Sequence, residues 1–149
     1  MKTLTTIIII AACLFAMTGM RSTSSVILSI ENRGNGDYAV TMHDVSGYSV
    51  AAYQVFLTFS GMTCDSVTYA TGHFDLPLLN PPNISNARGR IVAASGIDVF
   101  NGQQPTADDC DLVLLHFTGS GTLDWNTGVH PSTLLSDLGG NPPDEMILN

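Results

Sequence analysis

The sequence predicts an all-β protein, and three observations support that fold class. Strand-like runs recur after residue 22, and turn residues (Gly, Asn, Asp and Pro) separate them every ten or so positions. No segment of useful length between residues 22 and 149 has the 3.6-residue period of an amphipathic helix. Because about nine short strands with regular turn signals are typical of two packed sheets, we predict an antiparallel β-sandwich.

The strands are predicted in chain order. The runs SVILSIEN and DYAVTMHDV are joined by the turn residues RGNG and predict a hairpin. Further strands are predicted over 50–60, 66–74, 89–96, 111–121, 132–140 and 144–149. The GMTCD segment, before residue 66, predicts a turn, and residues 75–89 predict an irregular crossing rich in Pro and Asn.

The N-terminal residues predict a secretory signal peptide. Lys2 supplies a positive charge, and residues 7–17 are an uncharged apolar run too short to span a bilayer. The residues up to Cys13 also resemble a bacterial lipoprotein box, which would make Cys13 a lipid acceptor. We predict a signal peptide over residues 1–20 and one β-sandwich domain over residues 25–149.

The charge composition argues against several partners. The chain has 13 Asp and Glu against 5 Lys and Arg, a net charge of −8. Nucleic acids and anionic membranes attract basic surfaces, so we expect neither as a partner, and we expect no membrane span.

The sequence contains no recognisable catalytic or metal-binding motif. The four histidines, at positions 43, 73, 116 and 130, show no metal-ligand spacing, and Ser95 lacks the residues of a nucleophile elbow. Asp98 and the acidic run at residues 108–111 could bind calcium, but a solvated acidic loop is the simpler interpretation. We therefore expect no enzyme activity, no metal and no cofactor.

Two cysteines, Cys64 and Cys110, follow the predicted signal peptide. In an exported chain such a pair more often forms a disulfide than stays reduced, so we predict that they are joined. A metal site is the weaker alternative, because the two thiols lack the CxxC spacing of zinc sites.

The predicted strand at 50–60 has apolar residues on both faces. Tyr53, Val55, Leu57 and Phe59 alternate on one face, whereas Phe56 lies on the face that should be polar. Either the fold covers that second face, or the face contacts a partner.

The order of these elements resembles the cohesin domain. AAYQVFLTFSG, a turn and CDSVTYATG are similar to one stretch of the cohesin pattern, and GRIVAASG and DLVLLHFTGSGT are similar to a later one. The resemblance covers most of residues 25–149. It implies a nine-stranded antiparallel jelly-roll β-sandwich, an architecture shared with cellulose-binding modules. It also implies a secreted or cell-surface, non-catalytic module that binds a dockerin-like extracellular protein.

The resemblance further implies where a partner binds. The contact sheet would carry the third, fifth and sixth strands, here 50–60, 89–96 and 111–119, and Cys64 would lie beside Cys110. The outward side chains then predicted to bind the partner are Gln54, Phe56, Thr58, Leu112, Leu114 and His116.

A carbohydrate-binding module is the alternative function. Such modules stack aromatic rings on sugars, so Trp125, Tyr48 and Phe100 are the candidate residues for binding a polysaccharide. The simpler interpretation of Trp125 is a partly buried ring that covers one end of the sandwich.

Overall fold

The structure is a computed structural model that describes residues 23–128 and 132–149. The predicted signal peptide (residues 1–20), Cys13 and His130 lie outside the described residues.

Nine β-strands form within these described ranges, together with two 3-10 turns. The strands are β1 (Ser25–Gly34), β2 (Asp37–Ser46), β3 (Ala52–Tyr69), β4 (Leu76–Pro77), β5 (Asn83–Ser85), β6 (Arg90–Gly96), β7 (Cys110–Trp125), β8 (Leu134–Ser136) and β9 (Glu145–Leu148). The turns are η1 (Asn86–Arg88) and η2 (Val99–Asn101). The predicted all-β class is confirmed.

The strands form one curled sheet in the order β4-β6-β3-β7-β2-β1-β9, with β5 paired to β6 and β8 paired to β3. The strand pairs are antiparallel except β1 with β9, which is parallel. The fold is thus the predicted sandwich with one parallel edge pair.

Two long strands, β3 and β7, contribute to both layers of the sandwich. The first half of β3 pairs with β6, β8 and the end of β7, and these elements with β4 and β5 form what we call the front layer. The second half of β3 pairs with the start of β7, which pairs in turn with β2. These two half-strands, β2, β1 and β9 form the back layer.

The chain turns between the layers at a glycine-rich bend. The β3–β7 register shifts between Ser60 and Met62, where Gly61 and Gly119 have φ of 77° and 95°. A Cβ on Gly121 would lie 1.8 Å from the Ser60 carbonyl oxygen, so only glycine permits this close approach. The turn predicted at GMTCD is therefore wrong, because β3 continues through it as a bent strand.

The core lies between the layers. It contains the alternating residues of β3 and the facing residues of β7, namely Tyr53, Val55, Leu57, Phe59, Val113, Leu115 and Phe117. The Tyr53 ring packs edge-on against Phe74 with ring centroids 5.2 Å apart. Its hydroxyl donates to the Leu112 carbonyl oxygen over 2.7 Å, so the one polar atom of this buried side chain is satisfied.

The predicted disulfide between Cys64 and Cys110 is wrong. Both thiols are free, with Cys64 opposite Phe117 and Cys110 opposite Met42. Phe117 and Cys110 are separated by roughly 20 Å of extended strand, well beyond the Cα separation of about 7 Å that a disulfide tolerates. The disulfide prediction assumed that this strand ends near Cys64, whereas β3 runs on to Tyr69.

Burial makes both thiols poor nucleophiles. It raises the pKa of Cys64 to about 11, with a further contribution from Asp65. It also raises the pKa of Cys110 to about 11, with further contributions from the neighbouring aspartates.

We expect iodoacetamide at pH 8 to alkylate both cysteines in the native protein roughly a hundredfold more slowly than in the unfolded chain. The reason is that a raised pKa leaves little thiolate until the pH approaches 11. Peptide mass spectrometry at Cys64 and Cys110 measures the two rates separately. Thiols that resist alkylation in the unfolded, unreduced chain would instead show that a disulfide exists.

The β1–β2 hairpin provides a matched test of close packing. Gly34 and Gly36 have nearly equal φ, 86° and 85°, but a Cβ at Gly34 meets nothing within 4 Å, whereas one at Gly36 lies 2.1 Å from the Phe117 carbonyl oxygen. Gly34→Ala should lower the free energy of unfolding by roughly 1–2 kcal/mol, the cost of a left-handed alanine. Gly36→Ala should cost roughly 2 kcal/mol more because the hairpin must move away from β7. Urea denaturation measures both, and equal losses would contradict this close approach of β7.

Candidate functional site

The structure does not bring the six predicted partner-binding residues into one patch. Gln54, Phe56 and Thr58 lie on the front layer, where β3 pairs with β6. The residues from β7 lie on the back layer, opposite β2 and the second half of β3. The expectation that 111–119 shares a face with 50–60 is therefore wrong, because that part of β7 follows the bend into the other layer.

Phe56 is not an exposed contact residue, since only 3% of it is accessible. Two described residues between β7 and β8, Asn126 and Thr133, hydrogen-bond to the main chain of Phe56. The Asn126 amide donates to the Phe56 carbonyl oxygen over 3.0 Å, and the Phe56 amide donates to Thr133 Oγ1 over 3.1 Å. The second apolar face of this strand is thus covered within the fold.

Leu112 is also buried, with no accessible surface. Val40 pairs with Val113 and Thr41 with Asp111, so Leu112 is the extra residue of a β-bulge. The bulge interrupts the alternation and places both Leu112 and Val113 in the core. Leu114 remains 38% exposed, and His116 Nδ1 lies 2.7 Å from Asp37 Oδ1 on the back layer.

An open apolar groove lies instead on the outer side of the front layer. We call it the front groove; it has a volume of about 310 Å³. Its lining consists of Ala52, Tyr53, Gln54, Leu78, Leu134, Leu135, Ser136, Gly140 and Pro142. Leu78 and Leu134 are its most prominent apolar side chains, at 56% and 52% exposed.

Both leucines are held in place by main-chain hydrogen bonds. The Leu78 amide donates to the Ala94 carbonyl oxygen over 2.9 Å, which fixes the segment after β4 against β6. Leu134 begins β8 and pairs with Gln54 of β3. The groove therefore lies between two segments anchored to the same sheet, so its shape is largely preformed.

Further exposed apolar side chains lie on segments at the same end of the front layer. This end of the layer contains the end of β6 and the start of β3. β4 pairs with the end of β6, and the Ile97 amide that follows β6 donates to the Ala51 carbonyl oxygen just before β3. The exposed side chains are Leu76, Leu79, Val99, Phe100 and Leu138.

A carboxylate lies beside the front groove. Asp137 Oδ1 accepts hydrogen bonds from the Gly139 and Asn141 amides, each over 2.8 Å. These bonds, led by those from Asn141, hold the pKa of Asp137 below its usual range. The rim next to Gly140 is therefore negatively charged at neutral pH.

The residues predicted for carbohydrate binding occupy separate places. Trp125 packs partly buried against the core, opposite Leu57, and its Nε1 donates to the Asn149 carbonyl oxygen over 2.9 Å. The Tyr48 hydroxyl donates to the Asn141 carbonyl oxygen, and Phe100 is 93% exposed on η2. The three rings thus have different neighbours and do not form one stacking surface in the described part of the chain.

The acidic residues considered for calcium have other roles. Asp109 Oδ1 accepts from the Asp44 amide over 3.0 Å, and Asp111 accepts two hydrogen bonds from Arg33, over 2.6 and 2.8 Å. Within residues 23–128 and 132–149, no three His, Cys, Asp or Glu side chains are grouped so that they could hold a metal ion. The same residues include no helix long and apolar enough to cross a membrane.

We expect Phe56→Ala to lower the free energy of unfolding by roughly 3 kcal/mol, because it leaves a cavity under the covered face. Leu114→Ala is the matched control and should cost less than about 1 kcal/mol, since its side chain is already solvent-accessible. Chemical denaturation measures both losses. Equal, small losses would show that Phe56 is exposed in solution.

Comparison with known proteins identifies the fold. No protein-family model matches the sequence, and no curated protein matches it. Among solved structures, CaCohA2 of Clostridium acetobutylicum is similar, with a TM-score of 0.61 and 18% identity over 85% of this chain and 87% of that one.

Two cohesins in complex with dockerins are also similar. A type I cohesin–dockerin complex from Clostridium thermocellum aligns with a TM-score of 0.60 and 10% identity over 85% of this chain and 89% of that one. The sixth cohesin of scaffoldin B from Acetivibrio cellulolyticus, bound to a mutant Cel5 dockerin, aligns with a TM-score of 0.59 and 12% identity over 84% and 94%. The chain therefore has the cohesin fold, a jelly-roll β-sandwich.

Proposed function

We propose that this protein is an exported protein-interaction module that binds a dockerin-type partner through the front groove. The observation that carries the proposal is an open, preformed apolar groove on a fold whose solved neighbours include cohesins in complex with dockerins. The proposed role is binding and requires no catalysis.

The front groove has the properties of a binding site. Leu78 and Leu134 each retain about half of their surface in water. Fully burying one leucine side chain contributes roughly 1.5–3 kcal/mol, so covering the exposed halves of both would contribute about that amount toward the roughly 8 kcal/mol of a micromolar affinity. A few such central apolar contacts commonly dominate an interface.

The negative charge of the protein indicates which partner surface would complement it. Asp137 lies in the chain between the groove residues Ser136 and Gly140, and the protein as a whole has a net charge of −8. A partner with an apolar ridge and basic residues on either side of it would complement this surface and associate faster at low ionic strength.

Export rests on the N-terminal sequence. The predicted signal peptide over residues 1–20 would direct the domain at residues 25–149 out of the cytoplasm, where a secreted or cell-surface partner is available.

The proposal is tested by calorimetric titration of the protein with a panel of purified type I and type II dockerins. We expect at least one to bind, and Leu78→Asp or Leu134→Asp to weaken binding by at least about tenfold, or about 1.4 kcal/mol. Leu114→Asp is the control, because it places the same charge on the back layer and should leave the affinity unchanged. Circular dichroism confirms that each variant is folded.

Two results would contradict the proposal. One is the absence of binding to any dockerin of the panel at about 0.1 mM, a concentration at which even weak complexes form. The other is retention on an insoluble polysaccharide that is lost in Phe100→Ala, which would support the carbohydrate-binding alternative through the ring that is 93% exposed.

A further inference from the structure

Three side chains on the outer face of the back layer form a hydrogen-bonded series that the proposed binding function does not use. Ser29 Oγ of β1 lies 2.7 Å from His43 Nε2 of β2. On the other side of the same ring, His43 Nδ1 lies 3.1 Å from Asp44 Oδ2. A carboxylate only accepts hydrogen bonds, so Nδ1 carries a proton, and in the corresponding neutral tautomer Nε2 accepts from the serine hydroxyl.

The backbone of β2 is irregular where this series forms. Successive side chains of a regular strand point to opposite faces, so Asp44 would normally point away from His43. Here the β1–β2 register shifts beyond His43, and Asp44 has a φ of 52°, a conformation that is uncommon for a residue other than glycine. The Asp44 amide donates to Asp109 Oδ1 over 3.0 Å, which stabilises this conformation. Strained residues of this kind cluster at functional positions.

A cleft of about 410 Å³ is lined by His43, the middle member of the series, whereas Ser29 and Asp44 are not among its lining residues. Its lining includes the carboxylates of Glu31, Asp109 and Asp111 and the guanidinium of Arg33. Arg33 is already paired with Asp111 and Glu31, so the cleft has an excess of negative charge. It would accept a neutral or cationic small molecule in preference to an anion.

We propose that Ser29 is a nucleophilic acyl-acceptor site, activated by His43 and oriented through Asp44, which takes an acyl group from a small neutral activated ester. Ser29 Oγ attacks the ester carbonyl carbon as His43 Nε2 removes the hydroxyl proton. The bond from that carbon to the leaving oxygen then breaks, and His43 returns the proton to the departing alcohol or phenol. The products are an ester of Ser29 and one free alcohol or phenol.

The structure also indicates that the acyl group stays on Ser29. β1 is paired on both sides, with β2 and with β9, and the Ile30 amide already donates to the Asn149 carbonyl oxygen. The main-chain amides next to Ser29 are thus used in the sheet and do not form an oxyanion hole. An activated ester has a good leaving group and can still react, whereas hydrolysis of the serine ester would be slow. The site is therefore one of covalent modification and not of turnover.

The experiment treats the full-length protein with p-nitrophenyl acetate. We expect a burst of about one p-nitrophenolate per chain, one added acetyl group by intact mass and its location on Ser29 by peptide mapping. Ser29→Ala should abolish the burst, and His43→Gln should slow it by at least about a hundredfold, the usual contribution of a general base. Asp44→Asn should slow it less, since it disturbs the orientation of the ring.

His116→Gln is the matched control, because His116 forms the same kind of contact with Asp37 on the same face and should leave the burst unchanged. Circular dichroism shows whether the His43→Gln variant is folded. Acetylation of Ser29 at the same rate in His43→Gln, or no acetylation of Ser29 in the wild-type protein, would overturn the proposal. The result is independent of the dockerin titration, which probes the front layer.

Discussion

The pairing of β3 with β7 continues along both strands and joins the front and back layers into one hydrogen-bonded sheet. At this corner the two backbones approach closely, and Gly61 and Gly121 allow this approach. Phe59 on the front side of the bend and Phe117 on the back side meet edge-on in the core, with ring centroids 5.2 Å apart. The corner is therefore closed by main-chain pairing outside and by aromatic packing inside.

The bend also determines where each part of β7 faces. The start of β7 pairs with β2 and the end pairs with the first half of β3, so one strand supplies residues to two different surfaces. For this reason Leu114 and Thr58 cannot belong to one contact face, although both point outward. The front groove depends on the same arrangement, since β8 can pair with the start of β3 only because the end of β7 stops short of it.

Alternation of apolar residues predicted much of this fold because a period of two is a local property of the chain. It identified the longer strands and the inward residues Tyr53, Val55, Leu57 and Phe59, all of which lie in the core, but it missed β4 and β5 in the crossing predicted as irregular. It failed where the structure departs from that period. The glycine in FSGMTC predicts a turn, yet glycine inside a strand pattern also marks a bend. The partner strand contains the matching glycines in FTGSGT. The bulge at Leu112 depends on the register with β2, which no local pattern contains.

The candidate site was less predictable for a related reason. An apolar residue on the second face of a strand has two explanations, and the structure near Phe56 involves residues distant in the sequence, Asn126 and Thr133. Leu78 lies in the crossing that has no period, so its one sequence signal is the apolar run LPLL beside prolines. Register across distant strands, and not composition, decides which of these residues reaches the surface.

The outer faces of the front and back layers differ in the free energy of removing water from them. On the back layer the polar groups already pair with one another, as Arg33 does with Asp111 and His116 with Asp37, and covering such exposed charges with a protein would lose hydration for little new bonding. The front groove presents mainly methyl and methylene groups, whose removal from water is favourable. This difference supports the front layer as the site of the proposed protein contact, and the back layer as the site of the proposed reaction at Ser29. The separation follows from the single bend in β3 and β7, which turns one amphipathic sheet into two surfaces of different chemistry.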